Sequence, residues 1–235
     1  MAGVTKRRER IKQFEDHGSP GGMSFSQELV GSAISLLRIA LEQRKQPVSR
    51  CHDNHYTSHA PGAIVLAVTA FDVWVREFEV GLEAVDSSFP KCKKVDNPIC
   101  RRYADLLRNL GESNCPFEAD LRSVVDVRDE IVHYLPRTLP GRTLPAWIDS
   151  LDRRGLLIRS PTNDADFTLS QKLSSYALAH WACTTLASCV ATLIGAVRNE
   201  FVPFVGGCTA KNFSLFSTIT APGDLVDFDG GMVSE

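Results

Sequence analysis

Residues 61–85 read PGAIVLAVTAFDVWVREFEVGLEAV, and this stretch decides the fold. Ile64, Val68, Phe71, Val75, Phe78 and Leu82 recur at steps of four and three. At about 100° per residue they fall on one stripe of an α-helix, whereas a strand would need strict alternation. Pro61 suits the first helical turn, where a backbone N–H has no intrahelical acceptor. A helix from about Pro61 to Val85 follows, and its stripe has to be buried against other helices.

The same period appears on both sides. Leu29, Ala33, Leu36, Leu37, Ala40 and Leu41 predict a helix from about Ser24 to Lys45, capped by Ser24 or Ser26 and stopped before Pro47. Residues 46–60 form a His-rich loop. Further helices are expected over about Ile99–Leu110, with Gly111 past its end, and over about Pro116–Leu135, ended by Pro136. In the latter, Leu121, Val124, Val125, Ile131, Val132 and Leu135 are expected to face the core. Pro136 to Pro145 is a Pro- and Gly-rich loop that carries Arg137 and Arg142. Ala146–Arg154 reads as a short helix closed by Gly155. Leu156–Ile158 and Phe167–Leu169 flank a turn-rich segment and suggest a small hairpin.

The last helix, about Ser170 to Glu200, has no charge between Lys172 and Arg198. That length invites a membrane-spanning reading. Ser174, Ser175, His180, Thr184, Thr185, Ser188 and Thr192 argue instead for a central helix of a bundle or dimer. The expected organisation is a flexible basic arm over 1–22, a helical domain over 23–201 and an extended acidic tail over 202–235. The fold class is all-α, with a small irregular or hairpin insertion after the 116–135 helix.

Composition agrees with one domain of generous size, with or without tails: 235 residues, 43% hydrophobic and 23% charged. Seven cysteines, an odd number without a CxxC pair, read as reduced thiols rather than a disulfide framework. The first residues lack an apolar signal-peptide core, so a cytoplasmic protein is expected. The net charge of −2 does not argue for nucleic-acid binding. Its distribution is uneven, with net +4 over residues 1–12, +4 over 91–108 and −4 from Glu200 onward. Basic patches of this kind track phosphate, although such runs are also ordinary solvated faces.

The candidate chemistry sits in the 116–135 helix. Arg128-Asp129-Glu130-Ile131-Val132-His133 places a permanent guanidinium five residues before an imidazole. Five residues put the two side chains roughly 140° apart, so they meet in a groove beside a neighbouring helix or between two copies. Asp129 lies one turn before His133, on the same face. Arg holds phosphate bidentately, and His moves protons near neutral pH. Together they supply what cleaving a phosphodiester without a metal requires.

The stretch Val125–Tyr134 resembles the signature of the HEPN superfamily: an Arg, then a polar residue, then a His a few positions later near the end of an amphipathic helix. Residues Ala63–Trp74 also resemble the second helix of several HEPN families, which carries an acidic residue near the place of Asp72. The resemblance implies a small helical bundle and a metal-independent endoribonuclease without cofactor, acting on RNA across a homodimer. Arg128, Asp129 and His133 are the catalytic positions it carries over, with Asp72 as a carboxylate that orients Arg or His. It also implies a toxin–antitoxin or anti-phage defence setting, with an antitoxin or defence complex as partner and no membrane. Its main rival is a non-catalytic helical dimerisation or interaction module of the same fold.

Other constellations are weaker. Cys51, His52, His55 and His59 fit no standard zinc finger and read as a polar loop. No phosphate-cradling Gly-rich loop, GxSxG or HExxH is present. His180 reads as a core or interface histidine, and Trp74, Trp147 and Trp181 as packing residues.

Overall fold

The computed structural model describes residues 24–45, 57–86, 88–90, 98–133, 146–158, 168–197, 202 and 207–224. About 79% of the described residues are helical, and among them there are eight α-helices and no strand. The all-α expectation is therefore met. In chain order the helices are α1 (Phe25–Lys45), α2 (Ala60–Val85), α3 (Ile99–Asn109), α4 (Glu118–Val132), α5 (Ala146–Arg153), α6 (Leu169–Lys172), α7 (Tyr176–Ala196) and α8 (Gly207–Ser214).

The centre is α2. All six residues of its expected stripe are buried, and Ala63, Ala67, Ala70 and Trp74 are buried beside them. The helix is thus covered on most of its circumference, by α1, α3, α4 and α7. Close approach to α1 uses a small residue: a Cβ at Gly62 would lie 3.0 Å from Leu36 Cδ1. Ser24 caps α1 as expected, its Oγ accepting from the Gln27 amide at 3.3 Å.

α3 and α5 end alike. Glu112 N–H donates to Leu107 C=O at 2.9 Å and Gly111 N–H to Arg108 C=O at 3.0 Å. Leu156 and Gly155 repeat this pattern on Leu151 and Asp152. Each is a Schellman ending that needs a left-handed residue, and glycine supplies it, with φ of 92° at Gly111 and 70° at Gly155.

Four expectations differ from the structure. First, the buried row of α4 is Leu121, Val124, Val127 and Glu130; Val125 and Ile131 are half-buried and Val132 is 49% exposed. Steps of three dominate here, so the helix is rotated from the expected face. Leu135 lies outside the described residues.

Second, Leu169 opens α6 rather than a strand. Thr168 and Gln171 close a capping box there, which fixes a helical turn. The other expected arm, Leu156–Ile158, is described and forms no strand, and 159–167 lies outside the described residues. Third, the long last helix is two helices. Ser175 caps α7 by accepting from the Leu178 amide at 3.3 Å. Ser174 C=O instead accepts from the Thr57 amide at 2.9 Å, a bond that a continuous helix would not leave free.

Fourth, the segment after 202 is not simply an extended tail. It contains α8 and a 3-10 turn over Leu215–Thr218. Phe213 and Phe216 are fully buried, with Phe213 packed edge-on against Phe71 at 6.3 Å. Two aromatic rings one turn apart bury enough apolar area to hold the segment on the bundle.

α7 is long and apolar enough to cross a membrane by length and composition. In the structure it packs within the bundle, against α2, α4 and α8. The N-terminal arm 1–22, the His-rich segment 46–56, Lys91, Lys93 and Lys94, the 134–145 loop and residues 225–235 lie outside the described residues. Of the 91–108 basic run, Arg102 does not serve a surface patch: its side chain is 4% exposed, 4.0 Å from the Glu79 carboxylate.

Candidate active site

The candidate site occupies the C-terminal end of α4. Packing of Leu121, Val124 and Val127 into the core sets the rotation of the helix. Positions 122, 126, 129 and 133 then share one outward row, at steps of four, three and four. Arg122, Asp129 and His133 on this row are exposed and Asp126 is half-buried.

His133 is the residue that ends α4. Its backbone has φ −106° and ψ 30°, and its amide still donates to the Asp129 carbonyl at 2.8 Å. The imidazole is therefore carried on the last hydrogen-bonded turn and faces solvent.

Arg128 lies about 100° round the helix from Asp129, between the core row and the outward row. Its side chain is 31% exposed. The guanidinium Nη1 sits 3.1 Å from Asp129 Oδ1, while Nε is buried with no hydrogen-bond partner. The ion pair joins two part-exposed neighbours, and pairs of this kind contribute about 0–1 kcal/mol. A phosphate offering two oxygens in the fork geometry can therefore compete for the guanidinium.

Asp72 stands on α2 and pairs with Arg76 one turn on, at 3.2 Å. Within one chain no hydrogen bond or ion pair joins Asp72 to Arg128 or His133, nor Arg128 to His133. The expected four residues thus fall into an adjacent trio, Arg128, Asp129 and His133, and a separate Asp72–Arg76 pair.

The structure adds one carboxylate to this set. Asp126 lies one turn before Asp129, and its carboxyl is raised above the usual carboxylate range. Burial is the main cause; the negative charge of Asp129 adds to it, and Arg122 opposes it. The signal was present in the sequence as the 126–129–133 spacing, but it is visible only once the buried face of α4 is known.

Among the described residues no group of three or more His, Cys, Asp or Glu is arranged to hold a metal ion. The four described cysteines, Cys100, Cys115, Cys183 and Cys189, are free. Burial pushes the Cys100 thiol up to about 11 and the Cys189 thiol to about 12, so neither is a ready nucleophile. His180 is half-buried on α7, its Nε2 3.1 Å from the Ile219 carbonyl, and burial lowers its pKa. That fits a packing histidine. The chain matches no family model, no curated protein and no solved structure.

Proposed function

We propose that this chain is a HEPN-type, metal-independent endoribonuclease. The observation that carries the reading is the placement of Arg128, Asp129 and His133 on the last two turns of one helix in an all-α bundle. His133 is exposed there, and among the described residues Arg128 pairs with its neighbour Asp129.

In this reading His133 accepts the proton of a ribose 2′-OH, and O2′ attacks the adjacent phosphorus. The P–O5′ bond breaks, which leaves a 2′,3′-cyclic phosphate and a 5′-OH. Arg128 stabilises the negative charge that grows on the phosphoryl oxygens. Asp129 orients the guanidinium or imidazole. Because Arg128 and His133 diverge on one helix, a complete cleft takes Arg128 from one copy and His133 from a second, across a symmetric pair of α4 helices. Val132, 49% exposed beside His133, supplies an apolar contact for that pairing. The same exposed valine favours the second reading, a helical dimerisation module without catalysis. A cytoplasmic setting in toxin–antitoxin or anti-phage defence belongs to the proposal, as does an antitoxin or defence-complex partner.

The test is single-turnover cleavage of a mixed-sequence RNA by the wild-type protein and His133→Ala, both with native melting. The variant is expected to lose about two orders of magnitude or more. EDTA should leave the rate unchanged, and 2′-deoxy substitution at the cut site should abolish cleavage. Equal rates in the two proteins would refute the catalytic assignment and leave the dimerisation module.

A further inference from the structure

Cleavage by 2′-OH attack needs two proton transfers: one removes the 2′-OH proton, the other supplies a proton to the departing O5′. His133 accounts for one of them. We infer that Asp126 is the second, the general acid that protonates the leaving O5′ while His133 acts as base; this rests on the nuclease reading above.

The placement comes first. Asp126 and His133 are seven residues apart, so both lie on the outward row of α4, about 10 Å apart along the axis. Two side chains reaching toward each other across that span bracket a phosphodiester whose O2′ and O5′ lie on opposite sides of phosphorus. Asp129 sits between them, one turn from each, and its Oδ1 is tied to the Arg128 guanidinium at 3.1 Å. In the paired arrangement proposed above, the guanidinium that meets the phosphoryl oxygens is that of Arg128 from the second copy.

The chemistry comes second. A general acid has to carry a proton in the pH range in which the base has lost one. Asp126 is half-buried between solvent and α3. The charged and titratable groups around it are Asp129 and Arg122 on α4 and Cys100 on α3. Burial and Asp129 favour the protonated carboxyl, and Arg122 opposes them without reversing the direction. Asp129 is exposed and paired with the Arg128 guanidinium.

O2′–P forms and P–O5′ breaks. The 2′-OH proton passes to the His133 imidazole, and the Asp126 carboxyl proton passes to O5′. Solvent then returns both groups to their starting states.

The experiment uses the full chain and two RNAs of one sequence, one with the natural O5′ and one with sulfur at that bridging position. A thiolate leaves without a proton, whereas an alkoxide does not. Asp126→Asn is expected to cleave the oxygen substrate about 100-fold more slowly than wild type and the sulfur substrate within about fivefold of it. His133→Ala should be slow on both. Asp126→Glu, which keeps a carboxyl on the same row, should retain cleavage of the oxygen substrate within about tenfold. The wild-type pH profile gives an independent reading that does not depend on a variant folding: the oxygen substrate should show a bell, and the sulfur substrate should lack its acid-group limb. If Asp126→Asn matches wild type on the oxygen substrate, or is equally slow on both, the assignment is overturned. So too if the two wild-type profiles have the same shape. A wild-type protein that cleaves neither RNA overturns the nuclease reading itself, a result distinct from failure at Asp126 alone.

Discussion

At residue scale the division of labour on α4 follows from which faces water. Leu121 and Val124 are fully buried and could not move without leaving a cavity, whereas His133 and Asp129 are free of packing constraint. His133→Ala and Asp129→Asn should therefore melt within about 0.5 kcal/mol of wild type, as surface substitutions usually do. Arg128→Lys keeps the charge but loses the planar fork, so cleavage should fall by at least about tenfold, and Arg128→Ala by about 100-fold. Asp72→Asn should change the rate least of the four, since its partner is Arg76. Initial rates with saturating RNA check all of these together. His180 gives a pH prediction of known sign. Burial lowers its folded pKa below the ordinary 6.5. The stability linked to it is then fully present above pH 6.5 and is lost as pH falls toward the lower folded value. Melting temperature should drop from pH 7 to pH 5, and less so in His180→Asn. An identical drop in both proteins would remove His180 as the cause.

At the scale of elements, the helix ends are specified by single residues. Gly111 at φ 92° terminates α3 and directs the chain into the turn before α4. A Cβ there meets no neighbour within 4 Å, so the cost of Gly111→Ala is conformational rather than steric. A loss of about 1–2 kcal/mol is expected by urea unfolding, with the slope unchanged. Phe117 is the opposite case. It is the one non-glycine residue with positive φ among the described residues, at 65°, and it is 42% exposed. Phe117→Gly should relieve that strain and leave stability level or raised, because an exposed ring contributes little burial.

At the scale of the whole molecule, two features tie the chain together. The segment after 207 packs onto α1 and α7, with Phe213 against Phe71 and Trp74 of α2. Tyr176 Oη donates to the Thr220 carbonyl at 2.5 Å and holds the following turn. Phe216→Ala should cost about 3–5 kcal/mol, a core-sized loss that a loose tail would not show. Thermal melts of the variant decide this directly. The other feature is the outward end of α4. If two copies meet there, light scattering at tens of micromolar should give a dimer, and Val132→Asp should shift it to monomer while leaving the helical signal intact. A monomer in both proteins, unchanged by RNA, would remove the shared cleft.

The chain alone determines α1 to α5, because each carries its own local physics: a 3.6-residue apolar period, a serine cap, and glycines placed where the backbone turns left-handed; the break between α6 and α7, and α8 itself, were not legible in this way. The six-residue stripe of α2 could be read before any neighbour was known, since no other arrangement buries it. The Arg128, Asp129 and His133 trio was legible for the same reason, as a local spacing on one helix. What needed the tertiary structure was every choice between equivalent faces. Valines occupy 124, 125, 127 and 132, and only packing against α2 and α7 selects 124 and 127 for the interior. That selection exposes the row holding Asp126. Phe213 and Phe216 belong to no long apolar run; the burial of Phe213 depends on Phe71 and Trp74, more than a hundred residues earlier in the chain, and Phe216 packs on Phe213 in turn.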